Sequence, residues 1–298
     1  MPSLASSGAS RASPFDPRSS WIARACVLGV ICFYLAYRQT RPPLGWARYQ
    51  QAQVPGGELE VLGDGEHRNT VVFIHGLGAN AAQLQVALPA YTVERIRPSL
   101  PHTAFVLPSS QFLRMTALDG MPSQAWFDMR ALPFMAQGPI PVGLEDIDGL
   151  TAAVKRIHRT VRNHIEQRGI PEERIVLAGF SQGCAVALLS ALSYPGKLAG
   201  VACISGWLPF SERINREGPR HRHPVQTEHA HHLPVFWGHG TADPMVLHSW
   251  AYESIEDLSM MGFENISFHS YPGLGHDIRR SDLEHDLTAW LQQRLPVS

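Results

Sequence analysis

Cysteine is scarce: four in 298 residues, with no framework spacing, exclude a small disulfide-built scaffold. Cys184 and Cys203 fall in apolar runs and read as reduced core residues, while Cys26 and Cys32 belong to an N-terminal hydrophobic stretch, so no structural disulfide is expected. Charge is also sparse, at 17% with a net charge of −1. That balance excludes the basic footprint of a nucleic-acid binder, and no nucleic acid is expected among the partners. There is no internal repeat, which excludes a solenoid. What remains is a 44% hydrophobic chain of a length suited to one large α/β domain plus an appendage.

The appendage is residues 1–50. "MPSLASSGASRASPFDPRSS" is rich in serine, proline and glycine, lacks apolar periodicity and reads as disordered. Arg11, Arg18, Arg24, Arg38, Arg41 and Arg48 face one acid there, Asp16. Residues 21–37, "WIARACVLGVICFYLAY", are apolar except for Arg24, at the lower end of the roughly 17 to 25 residues that cross a bilayer. A short membrane anchor is the expectation, giving a membrane-associated protein; a secretory or organelle-targeting segment and a docked surface helix are the alternatives. "RQTRPPLGW" then serves as a proline linker, and a catalytic domain is expected over 55–298.

Strand-like runs start at Leu59, Thr70, Thr103, Arg174, Gly200, Pro234 and Ile266, several continuously apolar, which predicts a mainly parallel sheet covered by helices on both faces. The clearest helix is predicted from about Leu144 to Arg168. There Leu144, Ile147, Leu150, Val154, Ile157, Val161 and Ile165 step by three and four, leaving Arg156, Arg159 and Arg162 toward solvent.

Four of the strands end in reactive or permissive turns: "HGLG" at His75, "GFSQG" at Gly179, "GTADPMV" at Gly240 and "GLGHDI" at Gly273. In such a sheet, functional groups belong at the carboxyl ends of strands. The order Ser181, Asp243, His276 is that of an α/β-hydrolase. Ser181, between small neighbours on a strand-to-helix bend, is the candidate nucleophile; His276 would take its proton and Asp243 would orient the imidazole. The main-chain amides of Leu77 and Gln182 are the candidate oxyanion donors. Each turn alone has an ordinary structural reading; their conjunction carries the assignment.

With these motifs in place, residues 70–295 resemble the acyl-protein thioesterase and phospholipase/carboxylesterase family, through "FIHGLG", "MPSQAWFDM", "GIPEERIVLAGFSQG", "LAGVACISGWLPF", "HGTADPMV" and "YPGLGHDI". The resemblance implies an α/β-hydrolase without a large cap domain, acting on thioesters of S-acylated cysteines, lysophospholipids or small esters. It implies the same triad and oxyanion donors, a substrate-binding role for Trp126, Trp207, Leu208 and Pro209, and no cofactor. An acylated protein or a lipid or other ester is the expected partner, with membrane contact through residues 21–37. Two departures stand out: Ala79 and Asn80 where the family commonly has an acid, and Cys184 in place of a second glycine. "LPFMAQGPIPVG" from Leu132 reads as an apolar wall for an acyl chain or a plain surface loop. "RHRHPVQTEHAHH", holding His221, His223, His229, His231 and His232, raises the thought of a metal site. It matches no closed zinc spacing and reads as a solvated, mobile loop, so no metal is expected.

Overall fold

The computed structural model describes residues 51–54, 58–61, 66–78, 88–131, 143–213, 223, 225–228 and 230–295. The chain divides into two compact units, Met1–Pro43 and Leu44–Ser298, and every described residue belongs to the second.

The strands are β1 (Gln51–Val54), β2 (Glu58–Val61), β3 (Asn69–Ile74), β4 (Thr103–Leu107), β5 (Gln111–Met115), β6 (Met121–Ala125), β7 (Ile175–Phe180), β8 (Gly200–Ile204), β9 (Val235–Gly240) and β10 (Ile266–Tyr271). Eight form one sheet in the order β1-β2-β4-β3-β7-β8-β9-β10. From β4 to β10 neighbours run parallel; β2 joins β4, and β1 joins β2, antiparallel. All seven expected strands are present. β1 extends the sheet upstream of the expected start near residue 55.

The helices are α1 (Leu88–Ile96), α2 (Ile147–Arg168), α3 (Gln182–Leu192), α4 (His248–Met260) and α5 (Ser281–Arg294). Continuous apolar strands need cover on both faces, and alternate residues receive it separately. Val71, Phe73, Val176, Ala178, Ala202 and Phe236 share one cluster with Val93 and Ile96 of α1 and Leu283, Leu287 and Trp290 of α5. On the other side α3 packs on β3, β7 and β8, with α2 against α3. Each of the valine, leucine, isoleucine and phenylalanine side chains taken fully from water is worth about 1.5–3 kcal/mol.

Helix α2 begins later than expected. Asp146 caps it, accepting from Asp148 N–H at 3.1 Å, so Leu144 is buried on the approach and Ile147 stays 42% exposed. Gly169, at φ 65°, ends it. Arg156 is also corrected: it lies half-buried with its guanidinium 5.9 Å from the Trp126 ring centre, a cation–π contact, rather than out in solvent. The β5–β6 hairpin was not anticipated. Half of its strand residues are exposed and they carry no long apolar run, but Asp119 and Gly120 both have positive φ (54° and 77°), the signature of a tight reversal.

Three further expectations need correction. Cys184 and Cys203 form a disulfide, their Cα atoms 4.8 Å apart, because the first turn of α3 lies directly on β8. His223 is fully buried, its Nε2–H donating to the Pro209 carbonyl at 2.7 Å and its Nδ1 accepting from Val225 N–H at 3.3 Å; this part of the histidine-rich stretch is pinned, not solvated. The membrane anchor is overturned: no helix among the described residues is long and apolar enough to cross a membrane, and residues 21–37, with Cys26 and Cys32, lie outside those residues. His221, His229, Ala79, Asn80 and residues 132–142 also lie outside them. Among the described residues no group of three or more His, Cys, Asp or Glu is arranged to hold a metal ion.

Candidate active site

Ser181 sits between β7 and α3 with φ 56° and ψ −123°, a strained backbone for a residue with a side chain. The bend is held from several sides. Ser181 N–H donates to Ile204 O at 2.9 Å, and Cys184 N–H to Ser181 O at 2.9 Å. Both flanking glycines are required by space: a Cβ on Gly179 would lie 2.1 Å from Gly183 O, and one on Gly183 would lie 2.1 Å from Ile74 O.

Asp243 and His276 come from the loops after β9 and β10, and those loops are laced together. Thr241 N–H donates to Tyr271 O and Ala242 N–H to Leu274 O, both at 3.0 Å. A Cβ on Gly240 would strike Leu274 O at 2.2 Å. The result is a continuous chain: Asp243 Oδ2 lies 2.8 Å from His276 Nδ1, and His276 Nε2 lies 3.0 Å from Ser181 Oγ. The other carboxylate oxygen, Oδ1, accepts from Met245 N–H at 2.8 Å and Val246 N–H at 3.0 Å.

Burial alone would raise the Asp243 carboxyl, but hydrogen bonds from His239 and His276, the His276 charge and the Val246 amide outweigh it and hold the group well below the usual carboxylate range. An ionised carboxylate only accepts. His276 therefore carries its proton on Nδ1, and the Nε2 lone pair faces the Ser181 hydroxyl.

Gln182 opens α3, where a main-chain amide has no partner within the helix. Its side chain clamps the neighbouring segment: Oε1 accepts from Trp126 N–H and Nε2–H donates to Phe127 O, each at 2.9 Å. Leu77 follows Gly76, whose added Cβ would meet Ser181 Cβ at 3.1 Å, so this loop passes directly over the serine. His75 fixes the loop's base. It is fully buried; its Nε2 accepts from Ser110 N–H at 3.0 Å, so its proton is on Nδ1 and donates to Gly76 O at 2.7 Å. Burial foremost, offset by that bond to Gly76 and reinforced by the Arg156 charge, lowers its pKa to about 4. Neither His75 nor the Gln182 side chain was singled out from sequence, and a histidine before "GLG" was the only available signal.

The four expected substrate contacts are placed differently. Trp126 is 5% exposed and spends its indole N–H on His75 O at 2.8 Å. Trp207 and Leu208 are fully buried; Trp207 donates to Glu145 Oε1 at 2.7 Å, and Leu208 N–H to Ser254 Oγ at 2.9 Å. Pro209 is buried too. All four are thus buried, and the indole N–H groups of Trp126 and Trp207 are spent on partners within the protein. Two clefts among the described residues, about 620 and 430 Å³, are lined around Asp128, Arg130 and Phe210 and around Trp126 and Arg159; neither includes Ser181.

Residues 60–292 match the phospholipase/carboxylesterase family. The chain belongs to that family. Acyl-protein thioesterase 1 of Cryptococcus neoformans is 33% identical over 242 residues, covering 77% of this chain and 93% of that protein. Carboxylesterase SOBER1 of Arabidopsis thaliana is 32% identical over 231 residues, covering 78% and 92%. The crystal structure of Arabidopsis thaliana SOBER1 superposes with a TM-score of 0.65 at 30% identity, over 76% of this chain and 99% of the other. Family membership makes this chain an α/β-hydrolase and a serine hydrolase of ester-type bonds, with no large cap among the described residues.

Proposed function

We propose that this phospholipase/carboxylesterase family member is an acyl-protein thioesterase working through Ser181, His276 and Asp243. The observation that carries the reading is His276 bridging Ser181 Oγ at 3.0 Å and Asp243 Oδ2 at 2.8 Å. Ser181 Oγ attacks the acyl carbon while His276 Nε2 takes its proton, and Asp243 stabilises the resulting imidazolium. The main-chain amides of Gln182 and Leu77 receive the oxyanion, each worth on the order of 3 kcal/mol of barrier. The carbon–sulfur bond breaks, the thiolate takes the proton from His276, and water repeats the sequence on the acyl-enzyme to release the acid. Serine, imidazole and water supply every electron pair and proton, so the scheme needs no cofactor.

Relatives named as acyl-protein thioesterases favour a protein thioester as substrate. A carboxylesterase acting on small or amphipathic esters is the second reading, favoured by the 32% identity to SOBER1, nearly equal to that of the thioesterase relative. Hydrolysis of acyl thioesters graded in chain length by the full chain, beside Ser181→Ala, tests the choice. Turnover that rises with chain length and vanishes in the variant is the expected result; turnover confined to short aryl esters would overturn the thioesterase reading in favour of the esterase. Ser181→Ala as active as wild type would overturn both.

A further inference from the structure

His239 is the penultimate residue of β9 and has no solvent exposure. Its Nε2 lies 2.9 Å from Val246 O, and a carbonyl only accepts, so Nε2 carries the proton. The same Nε2 is 3.5 Å from Asp243 Oδ2, the oxygen that faces His276. One N–H therefore looks at both ends of the turn from Asp243 to Val246. Nδ1 is buried without a hydrogen-bond partner. That places the useful edge of the ring wholly on the carboxylate side.

We infer that His239 is a positioning residue for Asp243: its Nε2–H, shared between Val246 O and Asp243 Oδ2, closes the acid turn and keeps Oδ2 aimed at His276. The inference rests on the proposed triad. The amides of Met245 and Val246 hold Oδ1 but belong to the same turn, so they travel with it if it opens; His239 comes from the sheet, which does not. The other titratable groups against the ring are His248 of α4, its ring centre 5.6 Å away in an edge-to-face arrangement, and, through Asp243, His276. His248 is itself bonded to Ser270 Oγ at 2.9 Å, on β10 beside His239, and burial foremost lowers its pKa.

The test uses full-length His239→Phe, which keeps a ring without the N–H, and His239→Gln, whose amide can still donate. Turnover is expressed per site titrated with a fluorophosphonate, so that misfolded protein does not count. His239→Phe is expected to lower kcat by about 10- to 100-fold, since displacement of a catalytic group by about an ångström has effects of this order, with KM little changed. The acid limb of kcat/KM should move to lower pH, because His276 loses its aligned anion. His239→Gln should recover most of both. An unchanged kcat and pH limb in His239→Phe, or a loss in His239→Gln as large as in His239→Phe, would overturn the inference.

Should His239→Phe not fold, the wild type decides through ¹⁵N resonances of its histidine rings, with His239 assigned by the glutamine variant. A proton on Nε2 supports the inference, and a proton on Nδ1 overturns it. Failure of the triad itself reads out separately, as Ser181→Ala that is active and still labelled.

Discussion

Gln182 and Trp126 are joined through main chain and side chain: Trp126 N–H donates to Gln182 Oε1 at 2.9 Å while Gln182 Nε2–H reaches Phe127 O at the same distance. The side chain of the residue after the serine thus fixes the strand end that brings Trp126 against His75. Gln182→Ala leaves both main-chain groups buried and unpaired. Such groups cost about 1–3 kcal/mol each, so chemical denaturation should show a loss of about 2 kcal/mol or more. Because the Gln182 main-chain amide survives the change, kcat should fall far less than in Ser181→Ala; an equal fall would mean that the side chain acts in the chemistry.

The Cys184–Cys203 bond ties the nucleophile helix to β8 across 19 positions of sequence. A closed loop of that size contributes about 3 kcal/mol to stability. Peptide mapping without reductant should recover the two cysteines linked, and Cys184→Ala with Cys203→Ala should lower the denaturation midpoint by a matching amount. Two free thiols at these positions would return them to the reduced state expected from composition.

Much of the fold was legible because it depends on local signals. Continuous apolar runs from Thr70, Arg174 and Pro234 become β3, β7 and β9, whose glycine-bearing ends lead into the turns of Leu77, Ser181 and Asp243, and the run from Ile266 becomes β10, whose following turn carries His276. What escaped depends on partners distant in sequence. Nothing near Gln182 announces Trp126, and nothing near His223 announces the Pro209 carbonyl. The family resemblance of its segment points to Trp207 as a substrate contact, and only the assembled structure seats its N–H on buried Glu145. The hairpin escaped for the opposite reason, since Phe112 is 71% exposed and its strands follow no burial pattern.

Two buried histidines should make the protein acid-sensitive. His75 and His164 both have pKa values lowered to about 4, by burial foremost, with the Arg156 and Arg168 charges adding to it respectively. Between the unfolded value near 6.5 and about 4, the unfolded state binds more protons at these positions, so stability must fall as pH falls through that window. Each group contributes at most about 1.4 kcal/mol per pH unit. His164→Leu replaces a side chain whose buried Nδ1 has no partner. It should flatten the decline between pH 6.5 and 4 without changing kcat. An unchanged slope in urea titrations at pH 4.5, 5.5 and 6.5 would remove His164 as a source.

Asp243→Asn separates charge from shape at the site. The amide can still accept at one atom from the Met245 and Val246 amides, but if its NH₂ faces His276 the imidazole must carry its proton on Nε2, where it no longer accepts from Ser181. A loss of about 10⁴ in kcat is expected, with labelling of Ser181 slowed in parallel. The native Asp243 carboxyl is depressed, so its contribution to stability is present above the unfolded carboxylate value and fades as pH falls below it. The gap in denaturation midpoint between wild type and Asp243→Asn should therefore be widest near neutrality and narrow from about pH 4 downward. A gap that stays constant across that range would mean that Asp243 stabilises the fold by its packing and hydrogen bonds alone, and that its charge is reserved for His276.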